Sequence, residues 1–301
     1  MLLGEHAVVY GHPCIVTAMD TRMRVSVSVN GDKTNTINAP QVKECRFVQE
    51  SIKLFCKKFN LHQHIKIHTA GDFSHQVGLG SSSAVTVATV KALSDLFDKK
   101  LTTKEIFDLS YQVTIAIQGV GSGFDIAAAV YGGTIYYIYG GKTIEQLQTD
   151  LLPLVVGYSG VKADTPTLIR QVAADYKNRK KEIDGLFTNI TKLVEYAKRA
   201  IIEKDYRQLG SLMSQNHGYL KQLGVSTDKL NAMVQAALNA GAYGAKLSGA
   251  GGGDCMIALV SDEKRKAVEK AIEKAGGEII RVKNSAEGVK IENKRSKKNN
   301  K

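Results

Sequence analysis

Cysteine is scarce in this sequence. Its four copies, Cys14, Cys45, Cys56 and Cys255, are widely scattered, and no Cys-x-x-Cys or other metal-binding spacing joins them. That argues against a disulfide framework or a zinc site and predicts reduced thiols in a cytoplasmic protein. Long apolar runs are missing too. Nowhere do 18 apolar residues follow one another, so no transmembrane helix is expected. The opening MLLGEHAVVYGHP carries Glu5 and His6 where a signal peptide has its apolar stretch, so no secretory leader is expected. Internal repeats and low-complexity blocks are absent ahead of the last nine residues.

What is present is an ordinary soluble composition, 43% hydrophobic and 23% charged, in a chain of 301 residues. That length allows one large domain or two of common size. The formal charge is +12, and five of those charges (Lys294, Arg295, Lys297, Lys298 and Lys301) lie in the final NKRSKKNNK. This stretch, 293–301, reads as a disordered basic tail. The remaining excess suits an anionic ligand such as a nucleotide or a small phosphorylated acid. No nucleic-acid-binding motif accompanies it, so neither nucleic acid nor a membrane is an expected partner.

Hydrophobic periodicity divides the chain. Residues 14–30, rich in β-branched side chains and ending in period-two alternation, predict strands. Residues 47–60 predict an amphipathic helix, and HIKIHT (64–69) a strand. Ser82–Phe97 predicts a helix with an apolar face at Val85, Ala88, Ala92 and Leu96. Thr102 and Glu105 form a capping box opening a helix that reaches about Ile117. GGTIYYIYGG and LLPLVVGYS predict two more strands. From Thr165-Pro166, with Thr165 as cap, the pattern is almost wholly helical to 223. Ser226 is the expected cap of a further helix that Gly241 stops. AKLSG, CMIALV and EIIRVK predict strands, with a helix over Ser261–Ala275 between the last two. The whole reads as α+β: a mixed first half, a boundary near 155–165, then a helical region closed by a small βαβ-type sheet.

Four glycine-bearing segments carry the chemistry. QVGLGSSSAV (76–85) turns through Gly78 and Gly80 and enters a helix on three serines. A tight turn with a serine cap accounts for it. So does a phosphate cradle, because glycine-loop N–H groups and a helix N-terminus both favour anions, and Ser81, Ser82 and Ser83 add hydroxyls. It is neither a Walker A loop, lacking the lysine, nor a G-x-G-x-x-G. KLSGAGGGDC (246–255) sets four glycines in five residues between two strands. That run costs chain entropy and points to a sharp bend or to close approach of a ligand. GVGSGFDIAAAV places Asp125 at the start of an apolar helix, where it can cap the helix or take a proton from a substrate hydroxyl. LLGEHAVVYG sets Glu5 and His6 on a turn beside an apolar strand. His62, His64 and His68 alternate on a strand with no acidic partner near in sequence and read as a solvated face.

In this order, GEHAVVYG, GLGSSSA, GSGFD and SGAGGGDC resemble the motifs of the GHMP small-molecule kinases, a family named for galactokinase, homoserine kinase, mevalonate kinase and phosphomevalonate kinase. The resemblance spans the chain to about residue 292. It implies a two-domain α+β fold, with a domain like ribosomal protein S5 domain 2 over 1–158 and a ferredoxin-like domain over 159–292. It implies ATP and Mg²⁺ between them and direct transfer of the γ-phosphoryl group to a small molecule, driven by positioning and charge neutralisation. Asp125 would orient or deprotonate the acceptor. Gly78, Leu79, Gly80, Ser81, Ser82 and Ser83 would hold the triphosphate, with Ser82 on Mg²⁺ or the β-phosphate. Gly249, Ala250, Gly251 and Gly252 would close on the phosphates from the other domain. Glu5, His6 and Thr165 would line the acceptor pocket. Homodimers are frequent in the family, so a homodimer is a candidate assembly.

Two branches of the family share the likeness. GEHAVVYGHP and NHGYLKQLGVSTDKL (216–230) resemble mevalonate kinases, whereas GSGFDIAAAVYGG and Asp254 resemble phosphomevalonate kinases. The balance favours mevalonate as acceptor, hence isoprenoid precursor synthesis, with 5-phosphomevalonate as the alternative. Three features depart from the family pattern. The Pro-Gly-Lys usual before Gly-Glu-His is absent from this sequence. Thr114 stands where mevalonate kinases carry a Mg²⁺-binding Glu. Ser74 and Gln76 replace a Pro and a Gly before the phosphate loop. A non-catalytic nucleotide- or metabolite-binding protein on the same fold is therefore a third reading.

Overall fold

The computed structural model describes residues 1–40, 45–72 and 80–292. Gly78 and Leu79, with Ser74 and Gln76, lie outside the described residues, as does the tail expected over 293–301.

Strands β1 (Pro13–Thr17), β5 (Thr134–Ile138) and β6 (Thr143–Leu147) form an antiparallel sheet with β5 in the middle. Ile15 and Tyr136 face one core, while Cys14, Val16, Ile135 and Tyr137 face another. Because alternate side chains enter two different cores, β1 is buried at all its positions and reads as a continuous apolar run. A second sheet has β4 (His64–Gly71) between β2 (Met23–Asn30), antiparallel to it, and β3 (Thr36–Asn38), parallel to it. Among the described residues one of its faces is covered, so Ile65, Ile67 and Thr69 are buried while Lys66 and His68 are exposed. Helices α1 (Arg46–Phe59), α2 (Ser81–Leu96), α3 (Thr103–Gln118) and α4 (Phe124–Tyr131) complete this core with Phe55, Leu93, Phe107 and Ile126. The capping box that opens α3 is made as expected: the Thr102 hydroxyl accepts the Glu105 N–H at 3.2 Å, and the Glu105 carboxylate accepts the Thr102 N–H at 2.8 Å.

The second half contains β7 (Leu154–Tyr158), α5 (Thr165–Asn178), α6 (Lys180–Ile202), α7 (Tyr206–Gln222), α8 (Asp228–Asn239), β8 (Gly244–Ser248), β9 (Cys255–Leu259), α9 (Asp262–Lys274) and β10 (Glu278–Ile280). Its sheet runs β10-β7-β9-β8 with every neighbouring pair antiparallel. Strands β9 and β10 are therefore parallel to each other with β7 between them, which makes β9-α9-β10 a split βαβ unit. Strand β7, expected at the end of the first domain, hydrogen-bonds into this second sheet. Two caps fall one residue away from expectation. Asp164, not Thr165, accepts the Thr167 N–H at 3.2 Å and caps α5. Thr227, not Ser226, accepts the Leu230 N–H at 3.2 Å and caps α8. Ser226 donates instead to the Asn231 side chain at 2.7 Å. In each case the neighbouring oxygen sits three residues before the donor, the separation an N-cap needs.

After β10 the chain returns to the first half. Asn284 bridges Met19 and Glu287 bridges Gly132. The Asn284 side chain accepts the Leu152 N–H at 2.9 Å and donates to the Leu152 carbonyl at 2.6 Å. The second core also reaches back, holding Leu2, Leu3 and Ile15 of the first half against α6 and α7. Among the described residues, no helix is long and apolar enough to cross a membrane.

Candidate active site

A cavity opens between the halves. Gly80, Asp125, Thr165, Gly249 and Ala250, all singled out from sequence, line it together. Gly80 precedes α2 in the left-handed region at φ 77° and brings no side chain to cap the helix. The first-turn N–H groups of Ser81, Ser82 and Ser83, at the positive end of a 16-residue helix, are thus offered to an anion. Ser83 is buried and Ser81 and Ser82 half-buried; none of the three is in the cavity lining.

A Cβ on Gly80 would lie 3.8 Å from the Asp125 carboxyl carbon, so the loop end and the carboxylate abut. Two tyrosines hold the turn that presents Asp125. The Tyr111 hydroxyl donates to the Gly121 carbonyl at 2.8 Å, and the Tyr137 hydroxyl to the Ser122 carbonyl at 2.6 Å. Asp125 is open to solvent within the cavity, and desolvation by the surrounding walls pushes its carboxyl up to about 6 against the opposing pull of the N-terminal ammonium. It is therefore a carboxylate near neutral pH with raised basicity, which suits proton acceptance.

Glu5 and His6 stand behind the cavity wall, not in its lining. Glu5 is 1% exposed; its carboxylate takes the Lys246 ammonium and, at 2.9 Å, an amide N–H of Asn216. Lys246 also donates to the Leu247 carbonyl at 2.5 Å. Burial lowers the Lys246 pKa, and Glu5 opposes that shift. His217 accepts the Leu247 N–H at 3.3 Å through Nδ1. Burial, aided by Lys246, depresses His217 to about 4, so it is neutral. His6, at φ 59°, donates from Nε2 to the Ala250 carbonyl at 2.8 Å, and burial keeps it neutral. Lys246 and Asn216 were missed as site residues. Their sequence signals are a lysine in an otherwise apolar strand, at the head of KLSGAGGGDC, and a polar pair at the head of NHGYLKQLGVSTDKL.

The second glycine loop is stitched to the chain on two sides. The Gly252 N–H donates to the Val225 carbonyl at 2.8 Å, and the Asp254 N–H to the Val161 carbonyl at 2.7 Å. Asp254 adopts φ 53°, and its side chain accepts the Ala163 N–H at 3.1 Å. The residue that looked like a branch marker thus ties the loop to the turn before Thr165. Gly251 and Gly252 are outside the lining; a Cβ on Gly252 would meet Leu168 at 2.7 Å. Thr114 is buried and its hydroxyl donates to the Ser110 carbonyl at 3.3 Å, so that position supplies no carboxylate. Among the described residues no cluster of three His, Cys, Asp or Glu could hold a metal.

A cleft that sets an uncapped helix N-terminus beside a solvent-accessible carboxylate can hold a phosphate chain against a hydroxyl, as a small-molecule kinase must. Residues 46–133 match the GHMP kinases N terminal domain and residues 197–278 the GHMP kinases C terminal domain. The chain belongs to the GHMP kinase family. It is 36% identical to a mevalonate kinase of Thermococcus sibiricus, with 97% of this chain and 96% of that protein covered. It is also 36% identical to a mevalonate kinase of Pyrococcus abyssi, with 97% and 95% covered. Its structure resembles that of L. major mevalonate kinase in complex with R-mevalonate, with a TM-score of 0.81, 27% identity, and 96% and 94% of the two chains covered.

Proposed function

We propose that this protein transfers the γ-phosphoryl group of ATP to the primary hydroxyl of mevalonate, forming 5-phosphomevalonate for isoprenoid precursor synthesis. The observation that carries the reading is the shared lining of one cavity by Gly80, Asp125, Thr165 and Gly249–Ala250. It is supported by near-full-length relatives that are mevalonate kinases. Asp125 takes the hydroxyl proton as the oxygen attacks phosphorus. The N–H groups of Ser81–Ser83 hold phosphate oxygens, and Gly249–Ala250 covers them from the other side. Glu5 and His6 act at one remove: Glu5 anchors Lys246, which leads into the glycine loop, and His6 holds the Ala250 carbonyl. Mg²⁺, when bound with ATP, neutralises phosphate charge. The Ser82 hydroxyl and the cavity carboxylates are the hard oxygen donors such an ion takes, and Thr114 is not among them.

The cavity lining favours mevalonate over 5-phosphomevalonate. Among the described residues it carries three carboxylates, Asp125, Asp254 and Glu287, against one basic side chain, Arg22. That balance disfavours a multiply charged phosphorylated acceptor. We place the domain division between β6 and β7, following sheet membership. We assign the enzyme to the cytoplasm; its cysteines form no disulfide among the described residues.

Coupled ADP release with Mg-ATP tests the reading. Mevalonate, 5-phosphomevalonate, homoserine and galactose are offered to the wild type and to Asp125→Asn. Turnover with mevalonate, lost in the variant, is the expected result. Turnover only with 5-phosphomevalonate transfers the assignment to that acceptor, and ATP binding without turnover makes the protein a non-catalytic binder.

A further inference from the structure

We infer that Arg22 is the acceptor-recognition residue of the cavity, its guanidinium receiving the carboxylate of mevalonate. This rests on the mevalonate reading above and adds to it the group that selects the acceptor. Mevalonate has two functional ends. The primary hydroxyl must meet Asp125; the carboxylate must be met by a cation, since the other charged side chains of the lining are acidic. Arg22, on the turn between β1 and β2, is the one basic side chain in that lining among the described residues.

The surroundings of Arg22 fix its position without using up its charge. One terminal nitrogen donates to the Glu287 carbonyl at 2.7 Å and to the Gly288 carbonyl at 3.5 Å. Neutral carbonyls orient the guanidinium but do not neutralise it, and among the described residues its other N–H groups remain to form a bidentate pair with a carboxylate. Arg24 shows the contrast. It is spent on Asp72 at 2.5 Å and Glu292 at 3.6 Å. The Glu287 carboxylate pairs with Lys290 at 2.5 Å and feels Arg22 only as a weaker, through-space attraction, while Asp20 accepts the Lys283 N–H at 2.8 Å.

The segment that holds Arg22 is anchored firmly. The Ser285 N–H donates to the Thr17 hydroxyl at 3.1 Å, the Ala286 N–H to the Ala18 carbonyl at 3.2 Å, and the Gly133 N–H to the Ala286 carbonyl at 2.7 Å. A Cβ on Gly288 would lie 2.2 Å from the Val130 carbonyl oxygen, so the strap passes α4 in direct backbone contact. These residues follow the C-terminal family match, which ends at 278. A strap pinned to α4, the helix that bears Asp125, therefore sets the distance between the cation and the carboxylate.

The test is steady-state kinetics of Arg22→Gln, Arg22→Lys and Thr21→Asp against the wild type. It includes competition by 3-methylpentane-1,3,5-triol, in which a neutral hydroxymethyl replaces the carboxylate. R22Q is expected to raise KM for mevalonate about 10- to 100-fold, the worth of a charge-assisted pair. KM for ATP and kcat at saturation should stay within about twofold, the pattern of lost ground-state binding. The triol should inhibit wild type and R22Q equally. R22K should recover part of the loss, since it keeps the charge and lacks the fork. T21D places a carboxylate on the same wall and should raise KM for mevalonate in the same sense, which serves if R22Q does not fold. An unchanged KM for mevalonate in R22Q or T21D overturns the inference. So does equal weakening of mevalonate and the triol, which would make Arg22 only a support for the strap. A wild type inactive with mevalonate overturns the functional reading and this inference together; an active wild type matched by R22Q overturns this inference alone.

Discussion

The two glycine-rich loops at the cavity look alike in sequence and differ in what surrounds their glycines. Among the described residues, the Cβ position of Gly80 is 3.8 Å from its nearest neighbour, Asp125, and that of Gly249 has nothing within 4 Å. Both have positive φ and both open on the cleft. Gly251 and Gly253 are crowded by the chain itself: a Cβ would lie 2.1 Å from the Val225 carbonyl oxygen at one and 2.5 Å from that of Val161 at the other. The first pair leaves room for a ligand, and the second lets the loop dock on its own protein. A run of glycines in sequence adds these two demands together, and only the neighbours separate them.

The largest effect is expected on the open side. Asp125→Asn should lower kcat about 10²- to 10⁴-fold while KM for ATP changes little; a loss under tenfold would reduce the Gly80–Asp125 contact to packing. Lys246→Met, which strips the buried Glu5 of its partner, should destabilise by about 3–5 kcal/mol in urea unfolding. Adding Glu5→Gln should cost less than the sum of the single changes, because the two groups share one interaction. On the crowded side, Gly251→Ala should cost about 3 kcal/mol or more, seen by calorimetry as a fall in Tm of about 6–12 °C, with kcat of the folded enzyme kept. An unchanged Tm would erase the contrast between the loops.

A pH series sharpens the contrast further. The Asp125 carboxyl is raised from its ordinary 3.8 to about 6 by desolvation within the cleft. Between those values the native state holds more protons than the unfolded state. Asp125 therefore makes stability fall as pH rises from about 4 to 6 and leaves it level above. Activity runs the other way: kcat should fall about tenfold per pH unit below 6 as the base is protonated. A pH–rate profile flat to pH 5 would remove Asp125 as the proton acceptor. The smallest expected effect is that of Gly249→Ala. Its φ of 99° makes alanine cost about 1 kcal/mol, but none of the described residues obstructs the methyl group. A raised KM for ATP with a nearly unchanged Tm would mark Gly249 as a ligand-facing glycine.

Sequence legibility followed the range of the interactions. The capping box at Thr102, the strand of His64 and His68 with its solvated face, and Asp125 at a helix start each depend on neighbours a few positions away. The caps of α5 and α8 were misread by one residue because Asp164-Thr165 and Ser226-Thr227 each offer two oxygen-bearing side chains, and the chain direction entering the helix selects between them. Glu5 was expected to face the acceptor, yet it is sealed beneath Lys246, 241 positions along the chain. No local spacing reports such a partner.

By itself the sequence determined the order of strands and helices, the glycine-bearing turns, and the presence of a carboxylate and serines at helix starts. Each of these rests on backbone and capping preferences expressed within a turn or two. The tertiary structure alone decided that Gly80 abuts Asp125, that β7 joins the second sheet, that Gly251 and Gly253 are crowded by the chain itself, and that Arg22 lines the cavity with no salt bridge to a described carboxylate. Those outcomes depend on side chains brought together from distant segments. Burial there decides which charge is paired and which is left for a ligand.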